Sequence, residues 1–140
     1  MRVKYLILLL FVFAISSCKK QTIPPSLEGT WELRYYSGGM SRPTILPANN
    51  GNLLGFSGNT YTLIKNNQTI KKNSYSIISD AGAENETCSA LPANEFKNRI
   101  EFHDSTISKI YFQVTADTLI FLSGCAAYDA NTYSKYIRKF

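Results

Sequence analysis

The side chains with reactive chemistry are few: three cysteines, Cys18, Cys88 and Cys125, one histidine, His103, and ten carboxylates in 140 residues. A thiol can serve as nucleophile, redox partner, metal ligand or acylation site, and spacing separates these roles. A redox-active dithiol normally sits in a Cys-x-x-Cys arrangement, and none is present. A metal centre needs histidines or carboxylates beside the thiols, whereas His103 is solitary and no acidic cluster accompanies the cysteines, so neither a metal ligand nor a cofactor is expected. His103 precedes Asp104, but adjacent residues of an extended chain point to opposite faces, so the pair is not an acid–base dyad, and His103 is read as a surface residue. Glu84 and Glu86 fall in a polar segment and read as solvated. Gly-x-Ser-x-Gly, His-Glu-x-x-His and a phosphate-cradling glycine loop are all missing. The residue types therefore point away from an enzyme, with no catalytic residue assigned.

The remaining thiol chemistry begins at the N-terminus. Arg2 and Lys4 precede an apolar run from Tyr5 to Ile15, about 11 residues long, the length of a signal peptide and short of the roughly 20 that span a bilayer. Ser16 and Ser17 then lead to Cys18. This end resembles the lipobox of bacterial lipoproteins. The resemblance implies that residues 1–17 are removed as a signal peptide, that Cys18 becomes the acylated N-terminus carrying palmitate-like chains, and that the protein is held at a membrane of the cell envelope. Lys19 stands where an aspartate often marks retention at the inner membrane, so the same resemblance points to the outer membrane of a Gram-negative cell. With Cys18 committed to lipid, one pair of cysteines is left in an exported chain, which implies a Cys88–Cys125 disulfide. Such a bond would stabilise the fold by roughly 4 kcal/mol in the chain-entropy account.

Removing residues 1–17 also removes Arg2 and Lys4, leaving 13 basic against 10 acidic residues. The residual charge is scattered, and no basic stripe interleaved with aromatics argues for nucleic acid as a partner. Residues 18–27 carry Lys19-Lys20 and Pro24-Pro25 and read as an extended tether of about 3 Å per residue. The rest, residues 28–140, is the size of one domain.

The elements that must position any site follow a period of two. Trp31, Leu33 and Tyr35 alternate with Glu32, Arg34 and Tyr36; Tyr61 and Leu63 with Thr60 and Thr62; Ile100 and Phe102 with Arg99, Glu101 and His103; Ile110, Phe112 and Val114 with Lys109, Tyr111 and Gln113. This is the pattern of half-buried antiparallel strands. Strands are expected near 29–37, 52–57, 59–66, 69–79, 98–104, 107–115, 117–123 and 131–139, most joined by tight turns such as Gly58-Asn59 and Asn66-Asn67. Eight short strands in a meander suggest an all-β, eight-stranded antiparallel up-and-down barrel, since closure removes exposed edges; a two-sheet sandwich is the alternative. Residues 38–51 and 80–98 read as long loops framing one mouth. Tyr133 to Arg138 keeps no single apolar parity, which suggests a bulge in the last strand. Thr118 to Leu122 is apolar on both faces, so either a long loop covers its outer side, with Cys125 drawing residues 80–98 over it, or the strand contributes to a protein contact; coverage is the simpler expectation.

Gly29-Thr30-Trp31 supplies the Gly-x-Trp that opens the first strand of lipocalins, and the chain resembles the lipocalin-like domains of small bacterial lipoproteins over residues 28–140. Asn59-Thr60-Tyr61 after a glycine turn, Asp117-Thr118-Leu119 and a Tyr-rich final strand with Arg138 are similar in layout. The helix that packs on the barrel of the wider family has no counterpart before Phe140. The resemblance implies that Gly29, Trp31 and Arg138 form the closed end of the barrel, with Arg138 stacked on the tryptophan. Tyr35, Phe56, Tyr61, Tyr75, Phe102, Phe112 and Phe121 are expected to point inward. They either line a pocket for a small apolar or amphipathic ligand or fill the barrel outright. The first case implies a membrane-anchored binding module; the second, a non-catalytic lipoprotein that contacts another envelope protein.

Overall fold

The computed structural model describes residues 26–88, 91, 95–106, 109–125 and 131–140. The signal segment, Cys18 and residues 19–25 of the tether lie outside the described residues. In chain order the elements are β1 (Gly29–Gly38), β2 (Thr44–Ile45), β3 (Leu53–Ser57), β4 (Thr60–Lys65), β5 (Gln68–Ser79), α1 (Ala83–Thr87), β6 (Asn98–Phe102), β7 (Ile110–Thr115), β8 (Thr118–Ser123) and β9 (Thr132–Lys139). Every strand pairing is antiparallel. From β3 to β9 the strands pair in sequence order, and β1 pairs with both β3 and β9. The result is a closed eight-stranded up-and-down barrel, not a sandwich. β2 is a ninth strand outside the closed set; it pairs with β1 at Tyr35 and Tyr36, within the segment read as a long loop. Closure leaves the eight barrel strands with neighbours on both sides, which is how short strands of this size become stable.

The turns are made by residues that tolerate left-handed backbone. Asn66 and Asn67 have φ of 51° and 63°, the conformation that a two-residue type I′ hairpin between β4 and β5 requires. The inward face carries one continuous core: Leu27, Trp31, Leu54, Phe56, Tyr61, Tyr75, Ile100, Phe112, Leu119 and Phe121 are buried together.

A second, smaller core lies on the outside of the wall. Ala83, Phe96, Tyr111 and Leu122 are buried there, with Leu91, Ile120 and Tyr133 packed against them. In the β7–β8 ladder Tyr111 pairs with Leu122 and Phe112 with Phe121, so the two pairs face opposite sides of the sheet. α1 and the following chain cover the outer pair, and a Cys88–Cys125 disulfide ties that cover to the chain leaving β8. The outer side of the doubly apolar strand is thus covered by the segment that carries Cys88. Asp80 fastens the other end of the cover: its carboxylate accepts from Gly82 N at 2.8 Å and Tyr111 OH at 3.3 Å, and pairs with Arg99 Nε at 3.0 Å.

The bulge is in β1 rather than β9. The β8–β9 ladder is regular from Thr118↔Ile137 to Ser123↔Thr132. The β1–β9 ladder instead passes from Leu33↔Tyr136 to Tyr35↔Lys135, so Arg34 is an extra residue on β1. β9 keeps one parity throughout; its apolar side chains simply occupy both faces.

Candidate functional site: a packed barrel with a groove on its outer wall

Gly29, Trp31 and Arg138 meet at one end of the barrel. Trp31 is fully buried, and its indole Nε1 donates to Leu27 O at 2.8 Å. The Arg138 guanidinium lies 4.1 Å from the centre of the Trp31 ring. It donates through Nη1 to Glu28 O and through Nη2 to Ser26 O, both at 2.6 Å. The stacking accounts for the glycine. Gly29 has φ +116°, and a Cβ there would stand 2.9 Å from Arg138 Nη1, so a side chain would displace the arginine. Glu28 and Tyr75 stitch this end to the β3–β4 turn, Glu28 accepting from Gly58 N at 2.9 Å and Tyr75 OH donating to Gly58 O at 2.8 Å.

Above this seal, aromatic rings pack in a chain across the interior. Phe56 meets Tyr75 at 5.1 Å between centroids and Phe102 at 6.4 Å; Phe102 meets Tyr61 at 4.5 Å and Phe121 at 6.3 Å; Phe121 meets Tyr136 at 5.6 Å. Phe112 belongs to the same core. Six of the seven residues expected inside are therefore brought together there, and they contact one another. Among the described residues, the main hollows open on the outer wall or beside the barrel ends.

Tyr35 is the exception, and its expected inward position is corrected. The extra residue at Arg34 reverses parity along β1. Tyr35 pairs with Lys135, which pairs with Ile120, a member of the outer core. Tyr35 thus faces outward, and its ring meets Tyr133 edge-on at 5.6 Å. Tyr36 takes the inward register instead, opposite Ser134, and remains 40% exposed.

A polar cluster that no sequence pattern announces joins Tyr61, Asp104 and Lys71. Asp104 accepts from Tyr61 OH at 2.6 Å and pairs with Lys71 Nζ at 3.1 Å. The Tyr61 hydrogen bond is the main reason that the Asp104 carboxyl titrates below its ordinary range, with Lys71 and Asn73 adding to it. Burial, then the Asp104 contact, raises the pKa of the Tyr61 hydroxyl. Its neighbour His103 turns the other way, its Nδ1 lying 2.8 Å from Ser74 Oγ and its Nε2 3.3 Å from Ser76 Oγ. The imidazole and the Asp104 carboxylate thus have different partners, the serines of β5 for one and Tyr61 with Lys71 for the other.

The outer face of β1 and β9 carries a groove of about 670 Å³ lined by Arg34, Tyr35, Ser37, Ile45, Leu46, Tyr133, Lys135 and Ile137. The bulge supplies one wall by turning Tyr35 outward. β2 and the chain after it supply the other: Arg34 Nε donates to Leu46 O at 3.0 Å, Leu46 N to Arg34 O at 2.9 Å. Asn50 holds this segment in place, its Nδ2 donating to Leu33 O at 2.7 Å and Pro47 O at 2.8 Å. Beneath it Glu32 is buried, flanked by Arg34 at 3.9 Å and Lys139 at 3.7 Å. In the sequence, Tyr133, Lys135 and Ile137 share one parity, but the apolar Tyr136 on the other parity masks this outward face.

No protein-family model matches the chain, and no curated protein or solved structure matches it either.

With nothing to borrow from a relative, the chemistry rests on geometry. Among the described residues, no three His, Cys, Asp or Glu side chains gather where they could hold a metal ion. What the groove offers is an aromatic and aliphatic floor with two cationic side chains and two phenols at hand.

Proposed function

We propose that this protein is a lipid-anchored component of the bacterial cell envelope, in the outer membrane of a Gram-negative cell, whose lipocalin-like barrel is a non-catalytic binding module for a small apolar or amphipathic ligand. The anchoring is supported by the resemblance of residues 1–18 to a lipobox. The lipocalin-like character is supported by up-and-down closure and by the Arg138 guanidinium stacked on Trp31 across Gly29. The observation that carries ligand binding is the outer groove: its volume of about 670 Å³ falls among small-molecule sites, and a mostly apolar lining with a few placed polar groups is their usual composition.

The packed interior favours a second reading, a filled barrel that contacts another envelope protein through its wall and loops, where Met40 and Ile45 are strongly exposed. Native mass spectrometry of the full chain extracted from membranes separates the two. A species beginning at acylated Cys18 with one co-purifying small molecule supports the binding module. An unmodified N-terminus overturns the anchor. An empty barrel that crosslinks to one envelope protein replaces the first reading with the second.

A further inference from the structure

The groove's charge is one-sided. Arg34 and Lys135 both line it, and Lys135 has no ion pair among the described residues. The Glu32 carboxylate pairs with Arg34, but it is buried and shared with Lys139. Arg34 and Lys139 share that one carboxylate while Lys135 adds a further positive charge, so the excess on the groove side is positive. Glu95 lies beyond Tyr133, in a neighbouring hollow. The lining around the cations is apolar: Ile45, Ile137 and the Tyr35–Tyr133 edge pair.

We infer that this groove binds a single-chain amphipathic anion, with its charged head between Arg34 and Lys135 and its apolar tail along Ile45, Tyr133 and Ile137. The inference rests on the binding-module reading and supplies its site and ligand class. A charge-assisted contact to a guanidinium or ammonium is roughly twice as strong as a neutral hydrogen bond, while the apolar lining takes part of the tail's surface out of water. A second copy of the chain fits less well, because a two-fold contact sets the same patch against itself and brings like charges together.

The test uses the full chain in nanodiscs of zwitterionic lipid, titrated with dodecanoate, dodecanol or dodecyltrimethylammonium, with methyl chemical shifts as readout. Dodecanoate is expected to shift Ile45, Leu46 and Ile137 saturably while leaving Ile77, which lies beside Leu27 and does not line the groove, unmoved. Dodecanol should bind about tenfold more weakly, the equivalent of one charge-assisted contact, and the cationic amphiphile should not bind. Lys135→Glu should lose at least that factor for dodecanoate with Ile77 unchanged. Equal shifts with dodecanol overturn the anion class but leave the binding module standing. Ligand shifts at Leu63 and Ile110 instead place the ligand in the barrel and overturn the groove, whereas no shift with any probe overturns both readings. Shifts on adding phosphatidylglycerol to the nanodisc alone assign the cations to the bilayer surface and overturn the small ligand. Shifts that grow with protein concentration alone assign the groove to self-association and overturn it as well.

Discussion

The two sides of the β7–β8 wall carry similar apolar side chains buried by different means. Inside, Phe112, Leu119 and Phe121 meet side chains from every other part of the barrel, because closing the sheet brings all inner faces together. Outside, Tyr111, Ile120 and Leu122 are covered by Phe96 and a five-residue helix. A helix that short has no stability of its own, since isolated helices below about 12 residues are marginal in water. It stays because Thr87 and Ala83 are buried against the wall, Asp80 ties its entry, and the Cys88–Cys125 bond ties its exit. The inner core is a consequence of topology; the outer one is an attachment secured by a covalent link and a few polar contacts. A strand apolar on both faces therefore signals a cover as well as a core.

The largest expected effect lies inside. Trp31→Ala should cost about 3–5 kcal/mol, the range for deleting a buried aromatic, and lower the urea midpoint of the whole domain. Tyr35→Ala, a change of similar chemistry on the other side of the bulge, should cost less, about 1–2 kcal/mol, because its ring is only partly buried and lies outside the inner core. An equal loss for the two would refute the outward placement of Tyr35.

Removing the disulfide with the paired change Cys88→Ser and Cys125→Ser should cost about 2–4 kcal/mol. Hydrogen exchange should then rise in α1 and residues 95–97 while the barrel strands stay protected. Loss of protection throughout β3 to β6 would mean that the outer core is part of the barrel's own cooperative unit.

Arg138→Met should cost roughly 1–2 kcal/mol through the lost ring contact and backbone hydrogen bonds, with exchange increasing at Ser26 to Glu28. Gly29→Ala should mimic it by displacing the same guanidinium.

The smallest effect is electrostatic and sets the barrel mouth against the outer cover. Asp104, chiefly through Tyr61, and Asp80, chiefly through Gly82 N, both titrate below their ordinary range. A carboxyl whose folded-state value is depressed stabilises the fold fully above its unfolded value, near 4, and that contribution fades as pH falls through the folded value. Acid titration followed by unfolding should show stability declining below about pH 4. Asp104→Asn and Asp80→Asn should each flatten part of the decline, the second with exchange changes confined to α1.

Much of this was readable along the chain. Strand positions followed from alternation and from turn residues such as Asn66-Asn67, because both are local properties. The partnership of Gly29, Trp31 and Arg138 was readable only through a short resemblance, since β1 and β9 meet across more than a hundred residues. The Lys71–Asp104–Tyr61 cluster was not readable, because each residue looks like an ordinary surface or core position in its own strand. Nor was the groove, which depends on which way Tyr35 faces.

The sequence by itself determined the strands, their tight turns, and the need to cover the outside of β8, all carried by neighbours within a few residues. Tertiary structure alone decided where the extra residue falls. A bulge is a mismatch between two strands, so a pattern in either strand cannot locate it; the apolar irregularity of β9 was real, yet Arg34 on β1 is the unpaired residue. That one mismatch turns Tyr35 out of the barrel and completes the outer groove, while the inner aromatic rings pack against one another.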